Sequence, residues 1–256
     1  MKSRFVCLAL LLALAGPAVG QRESSQAADR AAFERGLRLS AGAAFFSALE
    51  RNYPQDSRRM IDRLFSLVRA NRTNVAAIAP AVAQEVAAFI RSKAGDISNA
   101  PAAALLRVIR LKLEFMRRVR AQDVGLCGRL AAQNPGDVII MPAALRAQAV
   151  EINISLIDAA GAGSRGAALP GRSAIAEQDR EAYLVAMQQI DVDGTLVPLM
   201  MDPAGRSTAA AEQQCAIGLM VYQAVLDLPE AIAGNVAAQL LVMEFGTQPG
   251  AVQTVR

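Results

Sequence analysis

The stretch AAALLRVIRLKLEFMRRVRAQ, residues 102–122, is the most strongly patterned part of the chain and decides the fold class. Leu105, Ile109, Met116 and Val119 recur at the spacing that places side chains along one side of an α-helix. The stretch therefore predicts a long amphipathic helix with one buried side.

Arginine dominates the remaining sides of this predicted helix. The arginines of the stretch are Arg107, Arg110, Arg117, Arg118 and Arg120. A basic amphipathic helix can contact an acidic protein, lie on anionic lipid, or present an ordinary solvated face, and the sequence leaves all three open. Arg107, Arg110, Arg117 and Arg118 form the candidate interaction face.

Helical spacing continues on both sides of this stretch and is interrupted by proline, glycine and other turn residues. Further helices are predicted at about 26–52, 54–68, 74–93, 142–158, 173–190, 208–226 and 229–245, with a shorter helical segment around Cys127 and a brief extended piece at 138–141. Abundant alanine and few aromatics favour close helix packing over a sheet sandwich. We therefore predict an all-α, single-domain bundle of seven or eight helices.

Residues 161–172, GAGSRGAALPGR, are typical of a flexible loop. This loop is the predicted subdomain boundary within a helical domain of residues 21–245, and residues 246–256 are predicted to form a flexible tail. The alternative is a pair of smaller helical subdomains divided at the loop. The segment begins with a G-x-G-x-x-G match, but Pro170 and Gly171 would break the helix that a dinucleotide site needs. We predict no cofactor.

The N-terminus carries the pattern of a secretory signal peptide, predicted as residues 1–20. Lys2 and Arg4 precede an apolar run at 5–15, which is too short to span about 30 Å of hydrocarbon. Small residues follow at 18–20, where a signal peptidase would cleave. Lysine occurs only three times beside abundant arginine, a usage typical of GC-rich bacterial genomes. The chain is therefore predicted to be periplasmic or secreted, with no transmembrane segment after cleavage.

Cleavage there changes the charge balance and the cysteine count. Lys2 and Arg4 account for two of the 27 basic residues, which leaves 25 against 23 acidic ones and predicts no binding to nucleic acid. Two cysteines remain, Cys127 and Cys215. An even pair in an oxidising compartment predicts a disulfide, and two buried free thiols are the alternative.

The chain contains no histidine, which excludes Ser-His-Asp and Cys-His catalytic sites and histidine-ligated zinc. Asp191-Val192-Asp193-Gly194 resembles the middle of a calcium loop, but no glutamate stands where an EF-hand needs it. We interpret this segment as a turn and predict no metal site. A hydrolase that uses only carboxylates stays open, because its partners can come from anywhere in a fold.

Two functional hypotheses of different kinds follow. The first is a non-enzymatic binding or adaptor protein of the cell envelope that contacts a protein partner through the arginine face. The alternative is a helical carrier or sensor of a small apolar ligand, such as an acyl chain, held between the late helices. The segment 215–221 and five methionines suit an adaptable apolar pocket. These methionines are Met187, Met200, Met201, Met220 and Met243.

Overall fold

The computed structural model describes residues 22–40, 42–132, 142–166, 172 and 175–246. The predicted signal peptide at 1–20, the extended piece at 138–141 and the tail beyond 246 lie outside these residues. All regular secondary structure in the described part is helical, which confirms the all-α prediction. The helices are α1 Arg22–Leu39, α2 Ala43–Asn52, α3 Pro54–Ala70, α4 Val75–Ser92, α5 Ala94–Ser98, α6 Ala102–Gln122, α7 Val124–Ala132, α8 Ala143–Arg165, α9 Glu177–Ile190, α10 Leu196–Met201, α11 Pro203–Thr208, α12 Ala211–Leu226 and α13 Glu230–Gly246.

The predicted number of seven or eight helices is wrong, because thirteen helices are present in the described ranges. The helix predicted at 26–52 is divided between Leu39 and Ala43 into α1 and α2. The segment between the helices predicted at 173–190 and 208–226, for which no helix was predicted, contains the short helices α10 and α11. Aspartate side chains that cap the N-termini of α10 and α11 explain why these two short helices form.

The turn at 191–194 is confirmed, and it starts α10. The carboxylate of Asp191 accepts hydrogen bonds from the backbone N–H groups of Thr195, Leu196 and Val197, at 3.1, 2.9 and 2.8 Å. Gly194 has a φ of +65°, a conformation that glycine adopts without steric cost. Asp202 caps α11 in the same way, accepting from the N–H of Ala204 at 3.0 Å.

Helix α6 lies at the centre of the fold and packs against α7, α8, α12 and α13. The four residues predicted for its buried side, Leu105, Ile109, Met116 and Val119, are at most 3% exposed. Burying a side chain of this size stabilises a fold by roughly 1.5–3 kcal/mol. The central position of α6 therefore follows from the apolar side of one continuous helix.

The loop predicted at 161–172 is wrong over its first five residues, because α8 continues to Arg165. A Cβ on Gly161 would lie 2.1 Å from Oδ1 of Asn52 in α2, and one on Gly163 would lie 1.9 Å from the carbonyl oxygen of Asp96 in α5. The two glycines allow α8 to approach α2 and α5 more closely than any other residue would. The strand–loop–helix of a dinucleotide site is therefore absent from 161–166, while the predicted subdomain boundary stays a prediction.

A disulfide joins α7 to α12. The Sγ atoms of Cys127 and Cys215 lie at bonding distance, and the Cα atoms of the two residues are 5.1 Å apart. Both cysteines are fully buried. Among the helices that the structure describes, none combines the length and the apolar character needed to cross a membrane.

Candidate functional site

A cavity of about 470 Å³ lies between α6, α7, α8, α9, α12 and α13. Most of its lining is apolar and includes Phe115, Leu130, Ile152, Leu156, Ile217 and Val221. Cavities of about 300–1,000 Å³ with an apolar lining and a few polar groups are typical of small-molecule sites in proteins. The cavity is therefore the candidate functional site.

One wall of the cavity is fixed by the contact between α7 and α12. Gly218 on α12 lies against Ala131 on α7, where an added Cβ would come within 2.8 Å of the alanine Cβ. The Cys127–Cys215 disulfide joins the same two helices one helical turn away from Gly218. The covalent bond and the glycine together set the distance between these helices, and hence the width of the cavity on that side.

A buried ion pair supplies the polar part of the lining. The ammonium of Lys112 on α6 donates to Oε2 of Glu244 on α13. The two side chains are only 4% and 11% exposed. The hydroxyl of Tyr222 donates to the other oxygen of Glu244 at 2.6 Å, and Lys112 Nζ lies 5.5 Å from the centre of the Tyr222 ring. The charges of the pair compensate each other inside an otherwise apolar space.

Two tyrosines at the cavity stay protonated over the whole physiological range. Burial raises the pKa of Tyr222 well above its usual value, and the charge of Glu244 and the hydrogen bond to it add to this effect. Burial, followed by the same negative charge, also raises the pKa of Tyr183. The hydroxyl of Tyr183 donates to the carbonyl oxygen of Val221 at 3.1 Å. Both phenols therefore act as neutral hydrogen-bonding groups.

Met200, Met243 and Arg206 complete the lining on the solvent side. Met243 is 53% exposed, and Arg206 is half-buried. The guanidinium of Arg206 donates to the carbonyl oxygen of Ala131 at 3.4 Å, and none of the described carboxylates lies within ion-pair distance of it. A cationic group without a carboxylate partner thus stands at the edge of the apolar cavity.

The structure separates the methionines that the sequence grouped together. Met200 and Met243 line the cavity, whereas Met187 is fully buried and Met201 is exposed on the surface. Met220 lines a second, more open groove. Helical spacing alone could not divide them, because the cavity is formed by helices that are distant in sequence.

The candidate interaction face of α6 is exposed as its pattern predicts. Arg107, Arg110, Arg117 and Arg118 are all exposed. The second groove, with a volume of about 580 Å³, lies beside this face between α6 and α12, and Arg117 is among its lining residues. Arg117 donates to Oε1 of Gln223 across it at 2.8 Å. The face therefore combines accessible positive charge with neighbouring apolar surface.

Several of the buried or partly buried carboxylates have clear structural roles. Asp179 accepts a hydrogen bond from the amide of Asn235 at 2.8 Å, Asp191 caps α10, and Glu244 pairs with Lys112. Within the parts of the chain that the structure describes, no group of three potential ligands could hold a metal ion. These carboxylates act in packing and capping, and they do not form a catalytic pair with one another.

Sequence reasoning did not single out the polar residues of the cavity. The sequence did contain one indication of a buried charge, because Lys112 lies on the apolar side of α6 between Ile109 and Met116. A lysine in such a position is rarely buried without a charged partner. The partner, Glu244, lies 132 residues further along the chain, so that only the fold identifies it. No protein-family model, curated protein or solved structure matches the chain.

Proposed function

We propose that this protein binds a small, largely apolar molecule in the cavity between α6, α8, α12 and α13, as a carrier or a sensor. The observation that carries the proposal is the cavity itself, with its volume of about 470 Å³ and its mostly apolar lining. The compartment would be the periplasm or the cell exterior, to which the predicted signal peptide would deliver the chain. Binding in place of catalysis fits a histidine-free chain whose buried carboxylates serve packing.

The lining also indicates the shape of the ligand. Its body would contact aliphatic and aromatic side chains, and each buried apolar Å² contributes roughly 25 cal/mol. Lys112, Glu244 and Tyr222 satisfy one another, so the ligand need not supply a charge in the interior. A molecule with an apolar body and at most one polar end therefore fits the cavity best.

Native mass spectrometry of protein purified from its own host tests this function directly. The expected spectrum contains a ligand-bound mass in addition to that of the polypeptide. Denaturation followed by extraction into organic solvent would release the ligand for identification. Repeated detection of the bare polypeptide alone would count against the proposal.

A substitution that fills part of the cavity should weaken binding without unfolding the chain. Ala149 lines the cavity on α8, whereas Ala147 is exposed on the same helix. Ala149→Leu adds three carbons to the cavity and is expected to weaken binding of a neutral apolar dye roughly tenfold or more. Ala147→Leu adds the same atoms at the surface and should leave the affinity unchanged. Equal affinities for the two variants, measured by dye fluorescence, would place the binding site elsewhere.

The arginine face supports a second function, contact with an acidic protein partner. Its four exposed arginines and the apolar groove beside them offer both charge and contact area. The two functions are compatible, because the face and the cavity lie on different sides of α6. Such a partner would be found by crosslinking the tagged protein in the host envelope.

Replacing Arg107, Arg110, Arg117 and Arg118 with glutamine is expected to abolish capture of that partner while helicity is unchanged. The physical reason is the loss of four positive charges from one surface. The matched control replaces four exposed arginines elsewhere on the molecule, namely Arg35, Arg38, Arg58 and Arg129. If the four α6 substitutions and the four control substitutions reduce capture of the partner equally, the effect is a general one of net charge. The α6 face would then be removed from the proposal.

A further inference from the structure

Arg206 distinguishes the cavity from a purely apolar pocket. Three charged side chains line the cavity in the described part of the chain, and two of them, Lys112 and Glu244, form an ion pair. Arg206 is the third, and its only described side-chain hydrogen bond is to the carbonyl oxygen of Ala131 at 3.4 Å. The lining therefore carries one positive charge that no described carboxylate compensates.

We propose that the ligand is an amphipathic monocarboxylate, with its carboxylate on Arg206 and its apolar chain in the cavity. This inference rests on the proposed ligand-binding function and specifies the chemical class of the ligand. A guanidinium offers planar, paired N–H donors that match the two oxygens of a carboxylate. Since Arg206 is only half-buried, its carboxylate partner can stay partly hydrated, which avoids the full cost of burying a charge.

The local structure holds Arg206 in place at the cavity. The residue lies on α11, where its backbone N–H donates to the carbonyl oxygen of Asp202 at 2.8 Å. The side-chain amide of Gln214 on α12 donates to the carbonyl oxygen of Arg206 at 3.4 Å. Met200 on α10 is one of the apolar residues that line the same cavity. The site therefore combines a positively charged group with an apolar lining.

The volume sets the length of the chain. At roughly 30 Å³ for each group of the size of a water molecule, a cavity of about 470 Å³ holds on the order of fifteen non-hydrogen atoms. Dodecanoate, with fourteen non-hydrogen atoms, is therefore a suitable probe. 1-Dodecanol is its matched neutral analogue, with the same chain and no charge.

The test compares these two probes on the intact mature protein at pH 8, below their aggregation concentrations, by displacement of a neutral apolar dye. Wild-type protein is expected to bind dodecanoate at least tenfold more tightly than dodecanol. Arg206→Gln should remove this preference and leave dodecanol binding unchanged, whereas Arg206→Lys should keep part of it. Ala149→Leu should weaken both probes equally.

Each outcome separates the two proposals. Equal affinities of the wild-type protein for acid and alcohol, or a preference that persists in Arg206→Gln, would overturn the assignment of a carboxylate while the binding function stands. Failure of both probes to displace the dye from wild-type protein would overturn both proposals for this cavity. Circular dichroism of Arg206→Gln confirms that a changed affinity does not result from unfolding.

Discussion

Reduction of the Cys127–Cys215 disulfide is expected to lower the free energy of unfolding by about 4–5 kcal/mol. The bond joins residues that are 88 positions apart, so that in the oxidised chain it closes a large loop and restricts the unfolded state. Domains of this kind are stable by only about 5–15 kcal/mol in total. Loss of the bond would therefore remove a large share of the stability.

Urea unfolding with and without a thiol reductant measures this effect. The double variant Cys127→Ala/Cys215→Ala should unfold at the lower urea concentration under both conditions, because it has no bond to reduce. A wild-type midpoint that does not respond to the reductant, under conditions in which free thiols are shown to appear, would contradict the expected contribution. It would show that the bond adds little to the stability that the two buried side chains already provide by packing.

Glu244→Gln is expected to lower the free energy of unfolding by about 3–5 kcal/mol, since breaking one side of a buried ion pair leaves the other charge in a poorly hydrated place. The side chain of Lys112 is 4% exposed, so water cannot readily replace the lost carboxylate. Glutamine keeps nearly the same size and can still accept from Tyr222. The effect therefore measures the charge more than the packing.

The double variant Lys112→Met/Glu244→Met should recover most of this loss, because two apolar side chains replace the pair without leaving a buried charge. Glu212→Gln is the matched control, since the exposed Arg120–Glu212 pair has a 3.6 Å separation and should contribute less than about 1 kcal/mol. The single variants Lys112→Met and Glu244→Met complete a double-mutant cycle with this double variant, and urea unfolding measures the stability of each. A Glu244→Gln protein as stable as wild type would show that the buried pair contributes little.

The sequence predicted the features that arise within one helix. The prediction of the buried side of α6 was correct at all four positions from Leu105 to Val119, because helical spacing alone determines which side chains share a face. The exposure of its arginines follows from the same geometry. The pairing of Cys127 with Cys215 followed from counting, since only two cysteines remain after residue 20.

The predictions of local structure were wrong where contacts with distant segments, or caps formed by single side chains, determine that structure. Gly161 and Gly163 have the composition of a loop, yet they continue α8 because α2 and α5 pack directly against them. The predicted number of helices was too low in part because Asp191 and Asp202 cap six-residue helices inside a segment rich in turn residues. The spacing of residues along the chain predicts neither the packing of helices against these glycines nor the capping by these aspartates.

The cavity could be predicted only in outline. The apolar segment 215–221 does line it, through residues that include Ile217 and Val221. Its volume and its polar group depend on how eight helices meet, and the Lys112–Glu244 pair joins residues 132 positions apart. Arg206 gave no signal in the sequence, because a single arginine in a turn-rich segment is typical of any protein surface.

The placement of the tyrosines gives the molecule its own optical signal. The chain contains no tryptophan and three tyrosines, so the phenol rings dominate its ultraviolet emission. Tyr183 and Tyr222 line the cavity, whereas Tyr53 lies among α2, α3 and α4 against Phe89. Any molecule that enters the cavity therefore changes the surroundings of two of the three emitting groups. Filling and emptying of the site could be followed in real time without attaching a dye.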